Sequence, residues 1–523
     1  MGSPDCIFIL TTITADRPNI SSAPKKGFME TALRNSPTEN VLNSNFLGFR
    51  VANFALFLAI PKKLANIQEM NQEQLRAVLV KSFFRHHRKI DIEKLLPFYS
   101  KQICSASPGT YFALKPNTYV IGRKVLRMPA GNIEAVRLNY YTRILNANFK
   151  IRYPNRDEIF TLLFGEIDRL RFLPRYTVVR FDFQNFFNTV SPSYVFDLCI
   201  KNSMLFPPDR EEIRKACSSM KRCYPGIAFS SALIELIGKE FDRNLQLVFR
   251  EHDIRFYQRY VDDGLLFLGH NVPQRTVIKL LKDAVFRTFY ALDKGKKNRN
   301  NVALHLPKSG MASPKFTCVS PATNTTLSFG FLGCDFHMAY DSNVLSGAEI
   351  TYGISEHKRN RIVSSLARRL SDPRCNFRLR QEILKNAVRR VVYFSEIHQG
   401  WQSTGLASRY IELAYRFEKM DGPTLAFLTS LLAEGIRLSN LGVAEKGRLL
   451  NMVNSFSRNE KSIYNAWSSF RLRRANILSP GIGYDRKHLI HLLQKIDTPW
   501  RSYKGWNYNK LVARYRYLTK MSD

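Results

Sequence analysis

The sequence predicts an α+β protein followed by a mostly α-helical C-terminal region. Three observations predict it. Short strand-like runs mix with helical ones from residue 111 to about 350. Beyond 350 the strand signals fade, and apolar residues recur three and four apart, the spacing of one helix face. The longest apolar stretch, FLGFRVANFALFLAI (46–60), contains Arg50 and falls short of the ~20 residues needed to span a bilayer.

Four segments follow from this texture across the 523 residues. Residues 1–45, rich in Ser, Pro, Asn and Thr, read as a loosely structured arm. Residues 46–175 combine helices, such as KSFFRHHRKIDIEKLLPFY (81–99), with the basic strand region TYVIGRKVLRMP (118–129). Residues 176–345 carry YTVVRFDF (176–183), IRFYQRYV (254–261) and LSFGFLGCDF (327–336) as strands. Residues 346–523 carry RIVSSLARRL (361–370), TLAFLTSLLAEGIRL (424–438) and KHLIHLLQKI (487–496) as amphipathic helices, compatible with a stack of helical pairs.

The charge narrows the partner class. Lys and Arg number 79 against 43 Asp and Glu, a net +36. Such an excess repels itself unless a polyanion neutralises it, which points to nucleic acid. The basic residues are spread along the chain rather than massed in one amphipathic helix, which disfavours a membrane surface. The start, MGSPDCIFILTTIT, has Asp5 where an export signal would be basic, and the eight cysteines form no CxxC pair. Both fit a cytoplasmic protein.

Two places put charge where a strand wants a hydrophobe. In FYQRYVDDGLLFL (256–268), Asp262 and Asp263 interrupt an apolar strand–turn–strand pattern, with Gly264 easing the turn. They are either an acidic hairpin tip or carboxylate ligands for metal. In VVRFDFQNFFNTV (178–190), Asp182 ends an apolar strand, and is either a helix N-cap or a third ligand. Nucleotidyl transfer uses two divalent ions ~3.5–4 Å apart, and hard Mg²⁺ prefers carboxylate oxygens, so two or three aspartates on rigid elements suffice.

These residues resemble the palm of a reverse transcriptase. Asp182 with Phe186 and Phe187 resembles motif A, and Tyr260-Val261-Asp262-Asp263-Gly264 resembles motif C. YPGIAFSSALIELIGKEFD (224–242), with Gly226 and Ser230, resembles motif B. LHLPKSG (304–310), with Lys308, resembles motif D, and FGFLGCDF (329–336), with Phe331, Leu332 and Gly333, resembles the primer grip of motif E. GRKVLRMP (122–129) resembles the basic fingers strand that meets the incoming triphosphate. The blocks stand in the family's order.

The resemblance implies a right-hand fingers–palm architecture with 46–175 as fingers, 176–345 as palm and 346–523 as thumb and C-terminal domain. It implies two Mg²⁺ ions (Mn²⁺ as a substitute), held by Asp182, Asp262, the backbone of Phe183, and Asp263 as a weaker ligand or electrostatic support. Phe187 would lie under the sugar and select dNTPs, or it simply packs in the core. Arg123, Lys124 and Arg127 would meet phosphates, or form a solvated strand face. Lys308 would protonate the leaving pyrophosphate, or is a surface lysine. Two positions depart from the family: Pro225 stands where a template-seating glutamine belongs, and Asn188 where many relatives have Asp.

A palm followed by a long helical region resembles the bacterial abortive-infection and defence-associated reverse transcriptases. Membership implies antiphage immunity, a templating or structural non-coding RNA, DNA made with or without a template, priming from a 3′ or protein hydroxyl, and possible homo-oligomers. At the C-terminus, WRSYKGWNYNKLVARYRYLTK (500–520) interleaves Arg501, Lys504, Lys510, Arg514 and Arg516 with Tyr503, Trp506, Tyr508 and Tyr515. That composition suits either a single-strand-binding surface or a terminal helix docking its rings on the core.

Overall fold

The computed structural model describes residues 72–520, apart from 84–90, 105–114, 116, 121–122, 130, 174, 293–299, 308–312, 322–325, 340–347, 389–390, 396–399, 411–412, 414–415, 458–483 and 498–501. The arm at 1–45, Lys308 and Arg501 lie outside the described residues.

Strands and helices mix as follows. Helices α1 (Gln72–Phe83) and α2 (Ile92–Cys104) precede the hairpin β1 (Thr118–Val120) and β2 (Arg123–Val125). Helices α3 (Ile133–Asn148) and α4 (Arg156–Leu170) lead to β3 (Thr177–Asp182). Next come α5 (Pro207–Ser218), α6 (Ala228–Val248), β4 (Ile254–Tyr260), β5 (Asp263–Leu268) and α7 (Gln274–Phe289). Strand β6 (Thr317–Val319) completes an antiparallel sheet of order β4-β5-β3-β6. A second sheet, β7-β8-β9, comprises Thr326–Phe331, Cys334–Ala339 and Glu349–Ile354.

Period-two alternation in β3 and β5 divides the interior. Val178, Leu265 and Phe267 face one core, shared with α4 and the second sheet. Val179, Phe181, Leu266 and Leu268 face the other, shared with α6 and α7. A central strand buried on both faces reads as a continuous apolar run, which is why VVRF and LLFL lack polar alternation. Gly264 lies within β5 rather than in the turn: it pairs with Phe181 across the sheet, and a Cβ there would run into the Phe181 ring. The turn itself is Val261–Asp262, between paired Tyr260 and Asp263.

The C-terminal region is helical through α8 (Glu356–Leu370), α9 (Phe377–Val388), α10 (Gly422–Arg437), α11 (Val443–Ser457), α12 (Arg486–Ile496) and α13 (Tyr508–Thr519). It also contains an antiparallel hairpin, β10 (Val391–Ser395) and β11 (Gly400–Thr404), that helical periodicity does not anticipate. Val391, Val392 and Tyr393 are buried, and β-branched and aromatic residues favour a pleated, half-buried surface. No helix among the described residues is long and apolar enough to cross a membrane.

Behind the Asp182 strand end, Phe241 of α6 contacts Phe181 and Phe183 edge-on and lies tilted against Phe289. Phe241→Ala is expected to cost about 3–5 kcal/mol, read as a lower urea midpoint at unchanged slope. A loss under about 1 kcal/mol would show that this aromatic cluster is not a supporting element.

Candidate active site

Antiparallel pairing sets Asp182 directly opposite Asp263. Their side chains are only 9% and 13% exposed, and like charges in directly opposed positions destabilise a sheet. Cations answer the crowding. Lys315 Nζ donates to Asp182 Oδ1 at 2.8 Å. Arg180, on β3 two residues before Asp182 and on the same face, donates from Nε to Asp263 Oδ1 at 3.0 Å and from Nη2 to Oδ2 at 3.3 Å. Burial pushes the Asp263 carboxyl above its ordinary range, and Arg180 draws it part of the way back.

Segment 301–306 runs beside the end of β3. Gln184 N–H donates to the Ala303 carbonyl at 2.8 Å, and His305 N–H to the Asp182 carbonyl at 2.8 Å. His305 Nε2 lies 3.5 Å from Asp182 Oδ1. Burial and then Lys315 hold this imidazole below its usual range, with Asp182 opposing them, so at neutral pH it is an uncharged neighbour. Lys308 belongs to the intervening residues outside the description, and Lys315 is the lysine that follows them on the described side.

Asp262 occupies the turn, half-buried, and its carbonyl accepts from the Phe183 N–H at 3.0 Å. That bond ties the turn to the strand end carrying Asp182. Asp263 is engaged through both oxygens by Arg180 and Asp182 through Oδ1 by Lys315, so the carboxylates that would serve a hard cation are those of Asp182, with Lys315 displaced, and Asp262. Two oxygen donors at a rigid strand end fit a Mg²⁺ ion that keeps several waters. Among the described residues no group of three His, Cys, Asp or Glu side chains converges as a ready-made metal cage.

The other motif residues are placed as follows. Gly226 has φ 106, and a Cβ there would lie 2.6 Å from the Leu126 carbonyl oxygen. Leu126 N–H donates to the Pro225 carbonyl at 3.0 Å, so the segment after β2 is bonded to the 224–226 loop. Arg123 and Lys124 lie on β2, and Arg127 just after it is exposed. Ser230 is fully buried, and its Oγ accepts from the Tyr224 N–H at 3.2 Å, bracing the loop from within. Phe187 is 8% exposed and lines a recess with Tyr153, Ser231, Glu235, Tyr260 and Val261.

Leu332 and Gly333 form the β7–β8 turn with φ of 51° and 77°, the pair of positive values of a type I′ hairpin. Leu332 presents its backbone N–H to the Asp263 carboxylate, while Phe331 is buried in the core. The C-terminal rings are placed differently from a stacking surface. Tyr503 and Tyr515 are 0% and 2% exposed. Tyr503 hydrogen-bonds Asp497, and Tyr515 donates to Glu382 at 3.2 Å. Arg514 Nη2 pairs with Asp497 at 2.6 Å, and the Lys510 ammonium sits 4.0 Å over the Trp506 ring. Tyr508 bonds the Tyr484 carbonyl. The apolar drive to bury large rings has used these side chains to dock α13 and the segment before it, leaving Lys504 ahead of the helix and Arg516 on it as exposed cations.

No family model and no curated protein sequence matches this chain. Among solved structures, apo telomerase from Candida tropicalis, truncated from its C-terminal domain, aligns at 16% identity over 38% of this chain and 42% of its own, with a TM-score of 0.24. Telomerase from Candida albicans in complex with the TWJ fragment of telomeric RNA aligns at 12% identity over 66% of this chain and 62% of its own, with a TM-score of 0.26. The chain thus spans less than two thirds of either length. At these TM-scores the alignments assign neither fold nor activity to it.

Sequence reasoning missed Arg180 and Lys315. Arg180 had a signal, since a charge inside the apolar run VVRFDF must find a partner on its own face. Arg180→Met leaves the Asp263 carboxylate buried without its counter-ion, and is expected to cost about 3–5 kcal/mol of unfolding free energy. Adding Asp263→Asn should recover most of that loss in urea unfolding. A double variant no more stable than Arg180→Met contradicts the pairing.

Proposed function

We propose that the chain is a nucleotidyltransferase of the reverse transcriptase kind, adding dNTPs to a 3′ or protein hydroxyl with two Mg²⁺ ions. The observation that carries the reading is the meeting of Asp182 and Asp263 on paired strands, with Asp262 tied to the same strand end. The order of the motif A to E blocks and the +36 charge support it. On this reading Asp182 and Asp262, with the Phe183 backbone, hold the ions, which supply Lewis-acid activation of the hydroxyl and neutralise the triphosphate. Asp263 keeps Arg180 in place and acts electrostatically. The Phe187 ring stands under the sugar and disfavours a 2′-hydroxyl.

Basic residues after β1, Arg123, Lys124 and Arg127, are the candidates for the triphosphate, joined to the 224–226 loop through Leu126 and Pro225. Lys308 is retained as the proton donor to pyrophosphate. Pro225 in place of a template-seating glutamine favours copying of a dedicated non-coding RNA, or synthesis without a template, over general copying. Antiphage defence, a bound RNA, a cytoplasmic site of action and a homo-oligomer complete the proposal by the family resemblance.

One observation favours a second reading, a catalytically silent nucleic-acid-binding or assembly protein. Lys315 and Arg180 already neutralise two of the three carboxylates. Incubating the purified chain, with any RNA it retains, with each labelled dNTP or rNTP and Mg²⁺ separates the two. A polymerase makes DNA from dNTPs, loses it to background in Asp182→Ala and Asp262→Ala, and accepts rNTPs better in Phe187→Ala. No product from any nucleotide, or product unchanged in Asp262→Ala, overturns the polymerase reading.

A further inference from the structure

We propose that Arg259 is a positioning residue that braces the strained Val261–Asp262 turn from inside the core and so sets where the Asp262 carboxylate stands. The inference rests on the reading above only in taking Asp262 as an ion-binding carboxylate.

The turn is unusual in its chemistry. Two residues join β4 to β5, and the first, Val261, has φ 60. A two-residue hairpin with positive φ at its first central position normally carries glycine there. A β-branched residue in that region is a genuine outlier, and such a conformation persists only when its surroundings over-determine it. Val261 is 5% exposed, so water does not supply the restraint.

Two hydrogen bonds do. The Asp262 carbonyl accepts from Phe183 N–H at 3.0 Å, and the Val261 carbonyl accepts from Arg259 Nη1 at 2.9 Å. The peptide groups on both sides of Asp262 are thereby pinned, one to the strand carrying Asp182 and the other to a guanidinium. That guanidinium is itself held fast. Arg259 Nε and Nη2 donate to Asp242 at 2.8 and 3.1 Å, and Nη2 to Glu235 Oε2 at 3.2 Å. Tyr257 Oη donates to the same Asp242 at 2.6 Å. The Arg259 side chain is 4% exposed, and a planar fork with several fixed donors is what arginine offers over lysine.

Helix α6 is built to receive it. Glu235, Gly238 and Asp242 lie on one face of α6, three and four residues apart, and a Cβ at Gly238 would run into the guanidinium. The same helix begins just after Gly226 and carries Ser230 in its first turn, and its Glu235 lines the recess beside Phe187, Tyr260 and Val261. Arg259 therefore registers the hairpin bearing Asp262 against the helix that follows the 224–227 loop. It does so without touching substrate.

The test uses the full chain and three variants. Arg259→Lys keeps the charge for Glu235 and Asp242 but loses the fork. Gly238→Ala raises helix propensity while displacing the guanidinium. Val261→Gly relaxes the turn's need for a brace. Mn²⁺ binding by electron paramagnetic resonance is read beside nucleotide incorporation, with circular dichroism and the thermal midpoint as checks on folding. Arg259→Lys and Gly238→Ala are each expected to weaken Mn²⁺ binding about 10–100-fold, the usual effect of losing an outer support, with kcat falling and KM for dNTP unchanged. Adding Val261→Gly to Arg259→Lys should restore part of the binding. Folded Arg259→Lys and Gly238→Ala chains with wild-type Mn²⁺ affinity overturn the proposal, as does a wild-type chain that binds no Mn²⁺. Tight Mn²⁺ binding without incorporation by the wild type would instead defeat the polymerase reading, and the Mn²⁺ series would still decide the brace.

Discussion

The crowding of carboxylates at one end of the β3–β5 pair is the constraint on which the rest of the structure depends. Two aspartates in directly opposed positions, each largely withdrawn from water, repel on the order of 3 kcal/mol at an effective dielectric of about 20. A strand gains nothing from such a pair, so the fold has to supply positive charge where the pair sits. Arg180 comes from the strand itself, and Lys315 from the chain just ahead of β6. Burial works against the Arg180 charge, and Asp263, Asp182 and Asp335 more than offset it. Asp335 lies on β8, so the electrostatic support of the first sheet reaches into the second.

That reach explains the placement of the smaller sheet. Its first turn, at Leu332–Gly333, offers a backbone N–H to Asp263, and Lys358 of α8 packs where a Gly333 side chain would be. The Gly333 carbonyl accepts from Ser355 N–H at 3.1 Å, linking the turn to the start of α8. Behind the site, α6 carries both the buried ionic seat for Arg259 and the loop that docks on Leu126. Two cores, one on each face of β3 and β5, make the mount rigid, and the charged groups are confined to its end.

Much of this was legible in the sequence, and what was not has a physical reason. The strand–turn–strand around Asp262 and the strand ending at Asp182 follow from apolar runs and turn residues. The turn lies at Val261–Asp262 rather than over Asp262–Gly264, because Asp and Gly are ordinary turn residues and only the Phe181 ring explains why glycine stands at 264. Single cations such as Arg259 and Lys315 look like solvated residues in a chain this basic, and tertiary pairing alone reveals them. For 500–520, composition left base stacking and core docking open, since both use aromatic rings beside cations. Burial of Tyr503 and Tyr515 assigns those two rings to the core. The β10–β11 hairpin escaped notice because VVYFS is short and lies between strongly periodic helices.

On the proposed function Asp182 and Asp262 form the cation seat, while Asp263 belongs to Arg180. Anomalous diffraction from crystals grown with Mn²⁺ tests it most directly. A Mn²⁺ peak is expected between the Asp182 and Asp262 carboxylates, with Lys315 Nζ drawn off Asp182 and the Arg180 fork still on Asp263. A site without that peak and with Lys315 still on Asp182, or a peak ligated by Asp263 with Arg180 swung away, would contradict it.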